Sequence, residues 1–235
     1  MTVTEVVAQL EEFGTDSTKN ILMNHGAQAP VLGVKVADLK KLQKQIKQDY
    51  QLALDLFDTG IYDAQYLAGL ITDDAKMTKT NLHRWLTRAN CTSISGTTVA
   101  WVTAESRYGH ELALEWIDSN KEAKAQAGWQ TLASLVSIRN DSELDLAEMK
   151  RLLKHIAQTI HQQPNLVRYA MNGFVISAGC YINSLTAAAI QTAKKIGTVS
   201  VDMGKTACSV PSAVEYIQKV QQRGTIGKKR KTAKC

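Results

Sequence analysis

Apolar residues recur at spacings of three and four along almost the whole chain, the period of a helix with one buried face. Prolines stand only at positions 30, 164 and 211, so long stretches run without a breaker. The first helix is predicted over "VVAQLEEF", opened by Thr2 and Glu5 at capping-box spacing. Ser212 and Glu215 repeat that spacing before a last helix, "AVEYIQKV". Between them the pattern predicts helices over 16–25, 35–48, 50–58, 61–72, 78–89, 94–106, 109–118, 121–138, 142–161, 165–178 and 183–195, with short connections throughout. One stretch competes: "VRYAMNGFVISA" sets Asn172-Gly173 between apolar runs, a strong hairpin signal. A lone hairpin among a dozen helices would have no sheet to join, and a glycine inside a helix costs only about 1 kcal/mol, so helix is the reading.

The pattern also echoes itself. "LALDLFD" at 52–58 matches "LALEWID" at 112–118, and "YLAGLI" at 66–71 corresponds to "TLASLV" at 131–136. A recurring helix pair predicts an all-α fold, an α-solenoid of stacked antiparallel helix pairs with a concave binding surface. A single solenoid domain over residues 1–222 is expected, followed by a basic flexible tail over 223–235.

Charge changes the picture only at that end. The protein is +6, yet Lys219–Cys235 holds seven Lys or Arg and no acid, which leaves about −1 for everything before it. A nucleic-acid face on the body must therefore come from how charge is distributed rather than from net charge. With 44% hydrophobic residues the chain can bury a full core. The amino-terminal stretch lacks a basic n-region and no long apolar run follows, so the expectation is a cytoplasmic protein without membrane attachment, monomeric. Cys91, Cys180, Cys208 and Cys235 are widely spaced, which fits reduced structural thiols better than a zinc site or a disulfide framework.

Candidate chemistry is thin. Gly204-Lys205-Thr206 resembles the end of a phosphate-binding loop, but position 199 is Val where that loop needs Gly. His25, His83 and His110 stand alone, and His155 and His161 fall on different helix faces, so no metal is expected. No cofactor is expected either. Asp73-Asp74 at a helix end reads as a solvated or capping pair. Trp85, Trp101, Trp116 and Trp129 fit core positions between helices.

"LGVKVADLKKLQKQI" followed by "LALDLFDTGIYDAQYLAGLITDD" resembles the bacterial DNA alkylation repair family of the AlkD type, whose fold is a solenoid of HEAT-like repeats. That resemblance is clearest over 32–75 and extends to about 196. It implies duplex DNA held in a basic concave groove and excision of N3- or N7-alkylated purines by an Asp and two Trp residues, without metal or cofactor. An alkylated purine already carries positive charge and leaves readily, so a carboxylate that stabilises the developing oxocarbenium ion can suffice.

This chain departs from the pattern where the chemistry would be. Cys91 stands at the first expected Trp, Ser95 at the expected catalytic Asp and Gly173 at the second Trp, while Gln130-Thr131 replaces an Arg ahead of Ala133. Serine carries no charge at neutral pH. The resemblance thus implies a DNA-binding relative whose N-glycosylase activity is lost or weak. Its expected phosphate contacts are Arg84, Arg88, Arg139 and Arg168 on the body, with Lys228, Lys229, Arg230 and Lys231 in the tail; Lys150, Arg151 and Lys154 form either a groove wall or an exposed stripe. Two alternatives stay open. One is an active 3-methyladenine/7-methylguanine-type glycosylase with relocated residues, for which Glu105, Asp63 and Glu111 qualify by type; the other is a HEAT-like scaffold that takes a protein partner in its groove.

Overall fold

The computed structural model describes residues 1–204 and 206–235. Lys205, the centre of the Gly-Lys-Thr triplet, lies outside them. The described residues are helical with no strand, and the helices follow the predicted order. Two compact units form. Unit 1 comprises residues 1–108 with 204–206 and 234; unit 2 comprises 109–203, 207–233 and 235.

Unit 1 contains α1 (Val3–Phe13), α2 (Asp16–Asn24), α3 (Val36–Ile46), α4 (Tyr50–Asp58), α5 (Tyr62–Ile71), α6 (Lys79–Arg88), α7 (Thr92–Ile94) and α8 (Ala100–Glu105). Thr2 accepts from Glu5 N and Glu5 bonds back to Thr2 N, so the predicted capping box is present. α4 packs on α5, and Phe57 stacks on Trp85 of α6 with ring centroids 4.1 Å apart. Between α7 and α8 the helix widens into a π-helical turn, Ser95–Val99. Thr98 of that turn faces Gly69 of α5, where a β-carbon would fall 2.3 Å from Thr98 Cγ2. Glycine is what lets the two helices approach.

Unit 2 contains α9 (Gly109–Ile117), α10 (Glu122–Ile138), α11 (Leu146–Thr159), α12 (Asn165–Tyr181), α13 (Thr186–Ile196) and α14 (Ala213–Gln222). α10 lies against α9 and α12, α11 against α13, and α12 against α14. The sequence echo is a structural one. Leu52, Ala53 and Leu56 of α4 are buried, as are Leu112, Ala113 and Trp116 of α9, and each helix packs on its successor. Trp85, Trp116 and Trp129 are core residues, at 1%, 0% and 1% exposure, whereas Trp101 is half-buried with its ring edge-on to Tyr66.

Asn172-Gly173 lies within the continuous α12. The asparagine is buried and donates to Pro211 O at 2.9 Å, which satisfies a polar group the helix interior would otherwise strand. Connections are not short throughout. α13 ends at Ile196 and α14 begins at Ala213, with no helix among the described residues between them. Two of the expected helix starts also move: 142–161 begins as a helix only at Leu146 and 183–195 only at Thr186, each preceded by a separate short 3-10 turn.

Candidate nucleic-acid interface

The motif that carries the family resemblance is architectural in unit 1. Asp63 is fully buried on α5, and its carboxylate accepts from three consecutive backbone N–H groups, Leu32 (2.6 Å), Gly33 (3.3 Å) and Val34 (2.8 Å). Gly33 adopts φ +85°, and a β-carbon there would lie 2.4 Å from Thr15 O. The buried Gln65 donates to Phe57 O and Arg88 O while accepting from Asn90 N, so one amide joins the ends of α4 and α6 to α5. Asp63, a candidate for a relocated catalytic acid, therefore has its oxygens committed to the loop before α3. Glu111, the second such candidate, is exposed at the start of α9. The third, Glu105, stands near the half-buried Asp74 in unit 1.

The positions that the resemblance assigns to catalysis are closed or empty. Ser95 is 2% exposed at the start of the π-helical turn, and its hydroxyl donates to Thr92 O at 3.1 Å. Cys91 precedes α7 at 9% exposure; burial pushes its thiol upward from the ordinary range and keeps it protonated, which disfavours a nucleophilic role. In unit 2, Gly173 sits in mid-helix with no heavy atom within 4 Å of the place its β-carbon would take, so no aromatic wall stands there. Among the described residues no group of three His, Cys, Asp or Glu side chains could hold a metal ion.

The expected basic contacts divide by what holds them. Arg84 and Arg88, one turn apart on α6, both bind the single carboxylate of Asp58, the latter at 3.0 Å. Arg139 caps the end of α10 with its guanidinium 3.7 Å from Glu143. Arg168 donates to Asn165 Oδ1 at 3.3 Å, and its Nε is buried without a hydrogen-bond partner. Lys150, Arg151 and Lys154 line a groove of about 560 Å³ between α11 and α13, opposite Lys195.

The carboxy-terminal segment makes backbone hydrogen bonds to the helices of unit 2. In unit 2, Gly227 N donates to Cys180 O (2.9 Å) and Arg230 N to Ser137 O (2.8 Å). Lys229 lies 2.9 Å from Val136 O and 2.8 Å from Asp141, while Lys228, Arg230 and Lys231 are exposed. Lys229 is thus an anchor; its neighbours carry no ion pair among the described residues. Beside them Tyr181 and Tyr216 border a cavity of about 280 Å³. No motif marked these tyrosines, and they come together only because α12, α14 and the final segment meet. In unit 1, Lys234 Nζ lies 2.7 Å from Asp74, whose other oxygen, Oδ1, is buried without a hydrogen-bond partner. Burial raises the Asp74 carboxyl to about 6, against the attraction of Lys234.

No single helix among the described residues is long and apolar enough to cross a membrane. Comparison with known proteins agrees with this helical fold. Residues 6–217 match the family described as DNA alkylation repair enzyme. Two relatives, Lin0241 of Listeria innocua and Lmo0209 of Listeria monocytogenes, are each 30% identical over 229 residues, covering 95% of this chain and 99% of theirs. A solved structure described as a new family of proteins related to the HEAT-like repeat DNA glycosylases with affinity for branched DNA structures is 34% identical, with a TM-score of 0.92 and complete coverage of both chains. Its HEAT-like helical repeats are the stacked helix pairs seen in each unit, and the chain belongs to the DNA alkylation repair enzyme family.

Proposed function

We propose that this protein binds DNA, branched DNA in preference to linear duplex, and does not excise alkylated bases. The observation that carries the reading is Ser95: where the family resemblance calls for a carboxylate, a buried hydroxyl is bonded to Thr92 O. A neutral group spent on its own helix supplies no negative charge to a developing oxocarbenium ion. The similar protein of solved structure is described with affinity for branched DNA, and likeness over the complete chain supports carrying that property here. Lys228, Arg230 and Lys231 are the principal phosphate contacts in this reading, with Arg139 and Arg168 as further cations of unit 2.

One experiment tests both halves. The protein is incubated with duplex carrying N7-methylguanine or N3-methyladenine and released base is measured, beside binding to a four-way junction and to linear duplex at two salt concentrations. The expected result is release at the spontaneous rate, tighter binding to the junction, and steep weakening with salt. Release above the spontaneous rate overturns the loss of excision. Binding insensitive to salt overturns the DNA reading in favour of a protein-binding scaffold.

A further inference from the structure

The cavity beside the carboxy-terminal segment has a composition that phosphate contact alone does not require. Tyr216 projects from α14 at 51% exposure, one of few large apolar side chains left open in the molecule. Tyr181, at the end of α12, is half-buried on the same cavity, and burial raises its hydroxyl above the ordinary range. The lining includes Cys180, whose thiol burial pushes up to about 11, so it stays neutral and presents no charge to a ring in the cavity. Lys228 and Arg230 also line it and are exposed. The lining therefore combines two tyrosine rings, a neutral thiol and basic side chains.

From this geometry we infer that the Tyr181–Tyr216 cavity receives one unpaired nucleotide of a DNA strand, its base against the tyrosine rings and its phosphates at Lys228 and Arg230. The inference rests on the DNA-binding reading and names the part of the branched structure that the site would take. Every nucleobase offers a flat π-face, so stacking on tyrosine tolerates any sequence and needs no hydrogen-bond code. The volume, about 280 Å³, lies just under the roughly 300–1,000 Å³ of small-molecule pockets, a size for a single nucleotide and far too small for a duplex. A base within a fully paired helix is stacked on both faces and cannot enter, whereas one at a branch point is already unstacked.

The frame around the cavity is rigid enough to hold the two exposed cations in place. Gly227 N and Arg230 N are bonded to Cys180 O and Ser137 O, and Lys229 between them is fixed by Val136 O and Asp141. Lys228 and Arg230 both line the cavity and are exposed on this anchored segment, where they can meet the phosphates of a strand. Pre-organisation of this kind lowers the ordering cost of binding.

The test compares a three-way junction bearing an unpaired nucleotide at its branch point with the same junction fully paired. The wild-type protein is expected to prefer the first. Tyr216→Ala loses that preference, with affinity for the unpaired form falling on the order of 10-fold, while Tyr216→Phe keeps it; helical content by circular dichroism stays unchanged because the ring is exposed. Lys228→Gln with Arg230→Gln weakens both junctions alike and lowers the salt dependence. A free deoxynucleoside monophosphate competes only weakly. Preference that survives Tyr216→Ala, or equal wild-type binding of both junctions, overturns this site while leaving the DNA-binding reading intact. A monophosphate that binds as tightly as the strand overturns the assignment to a strand. Failure of the wild type to bind either junction overturns the DNA-binding reading itself.

Discussion

Polar and charged side chains are used in opposite ways by the two units. In unit 1 they are consumed: Asp63 by three backbone N–H groups, Gln65 by the ends of two helices, Ser95 by Thr92 O, and both arginines of α6 by Asp58. In unit 2, Lys228 and Arg230 are left open to solvent on a segment that backbone hydrogen bonds hold in place, and Tyr216 is open on α14. Charge written in a sequence is thus not charge available to a ligand. What decides is whether the fold brings a carboxylate or an unpaired backbone group within reach, and for Asp63 and the arginines of α6 that partner lies 26 to 31 residues away.

Because of this contrast, substitutions in unit 1 should act on stability and those in unit 2 on binding. Asp63→Ala should have the largest effect. It strands three backbone donors in a buried site, at about 1–3 kcal/mol each, so a loss of roughly 3 kcal/mol or more is expected in urea unfolding. A loss below about 1 kcal/mol would mean that water replaces the carboxylate and that Asp63 is not structural.

Asp74 comes next. Its folded-state value of about 6 exceeds the ordinary 3.8, so the folded protein holds that proton more tightly than the unfolded chain does. The associated stability is complete below about pH 4 and is lost as pH rises through 6, to a total of about 3 kcal/mol. Asp74→Asn should flatten the stability profile across that window, as measured by thermal or urea unfolding at several pH values. A profile unchanged by the substitution would assign the titration to another group.

Helix positions were legible because apolar periodicity survives any tertiary context, and so was the repeat, since α4 and α9 bury the same positions of their shared pattern. The family motif was legible as well, but its meaning was not. Asp63 and Gln65 are polar residues in a helix, and only their tertiary partners, Leu32 to Val34 for one and Phe57, Arg88 and Asn90 for the other, show why those types stand there. The tail's tertiary partners were not legible either, for the same reason. Five basic residues in seven look solvated, yet Lys229 finds Asp141 and Val136 O across the fold. The tyrosine cavity left no signal at all, because Tyr181 and Tyr216 are unremarkable in their own helices.

Removing the open charges of unit 2 should produce the next largest effect. Lys228→Gln, Arg230→Gln and Lys231→Gln together should weaken junction binding by about 10- to 100-fold at low salt and reduce the log-affinity against log-salt slope by about 2 to 3, without altering stability. Substitution is preferable to truncation, which would also remove the Lys229 anchor. A slope that does not change would place the interface elsewhere and dissolve the contrast between the units.

Asp58→Asn should have the smallest effect and discriminates most finely. Arg84 and Arg88 are about half exposed, at 49% and 53%, and their shared carboxylate at 26%, so the cluster is a solvated one. Such ion pairs contribute little, and the loss should be under about 1 kcal/mol. The substitution returns two positive charges to the surface of α6. If those arginines serve to join α4 to α6, freeing them leaves the salt dependence of junction binding as it was. A slope that steepens by up to about 2 would show instead that Asp58 masks phosphate contacts, and unit 1 would join unit 2 in the interface. We expect the first result, because α6 presents both guanidinium groups to the same carboxylate, which is the geometry of a clamp.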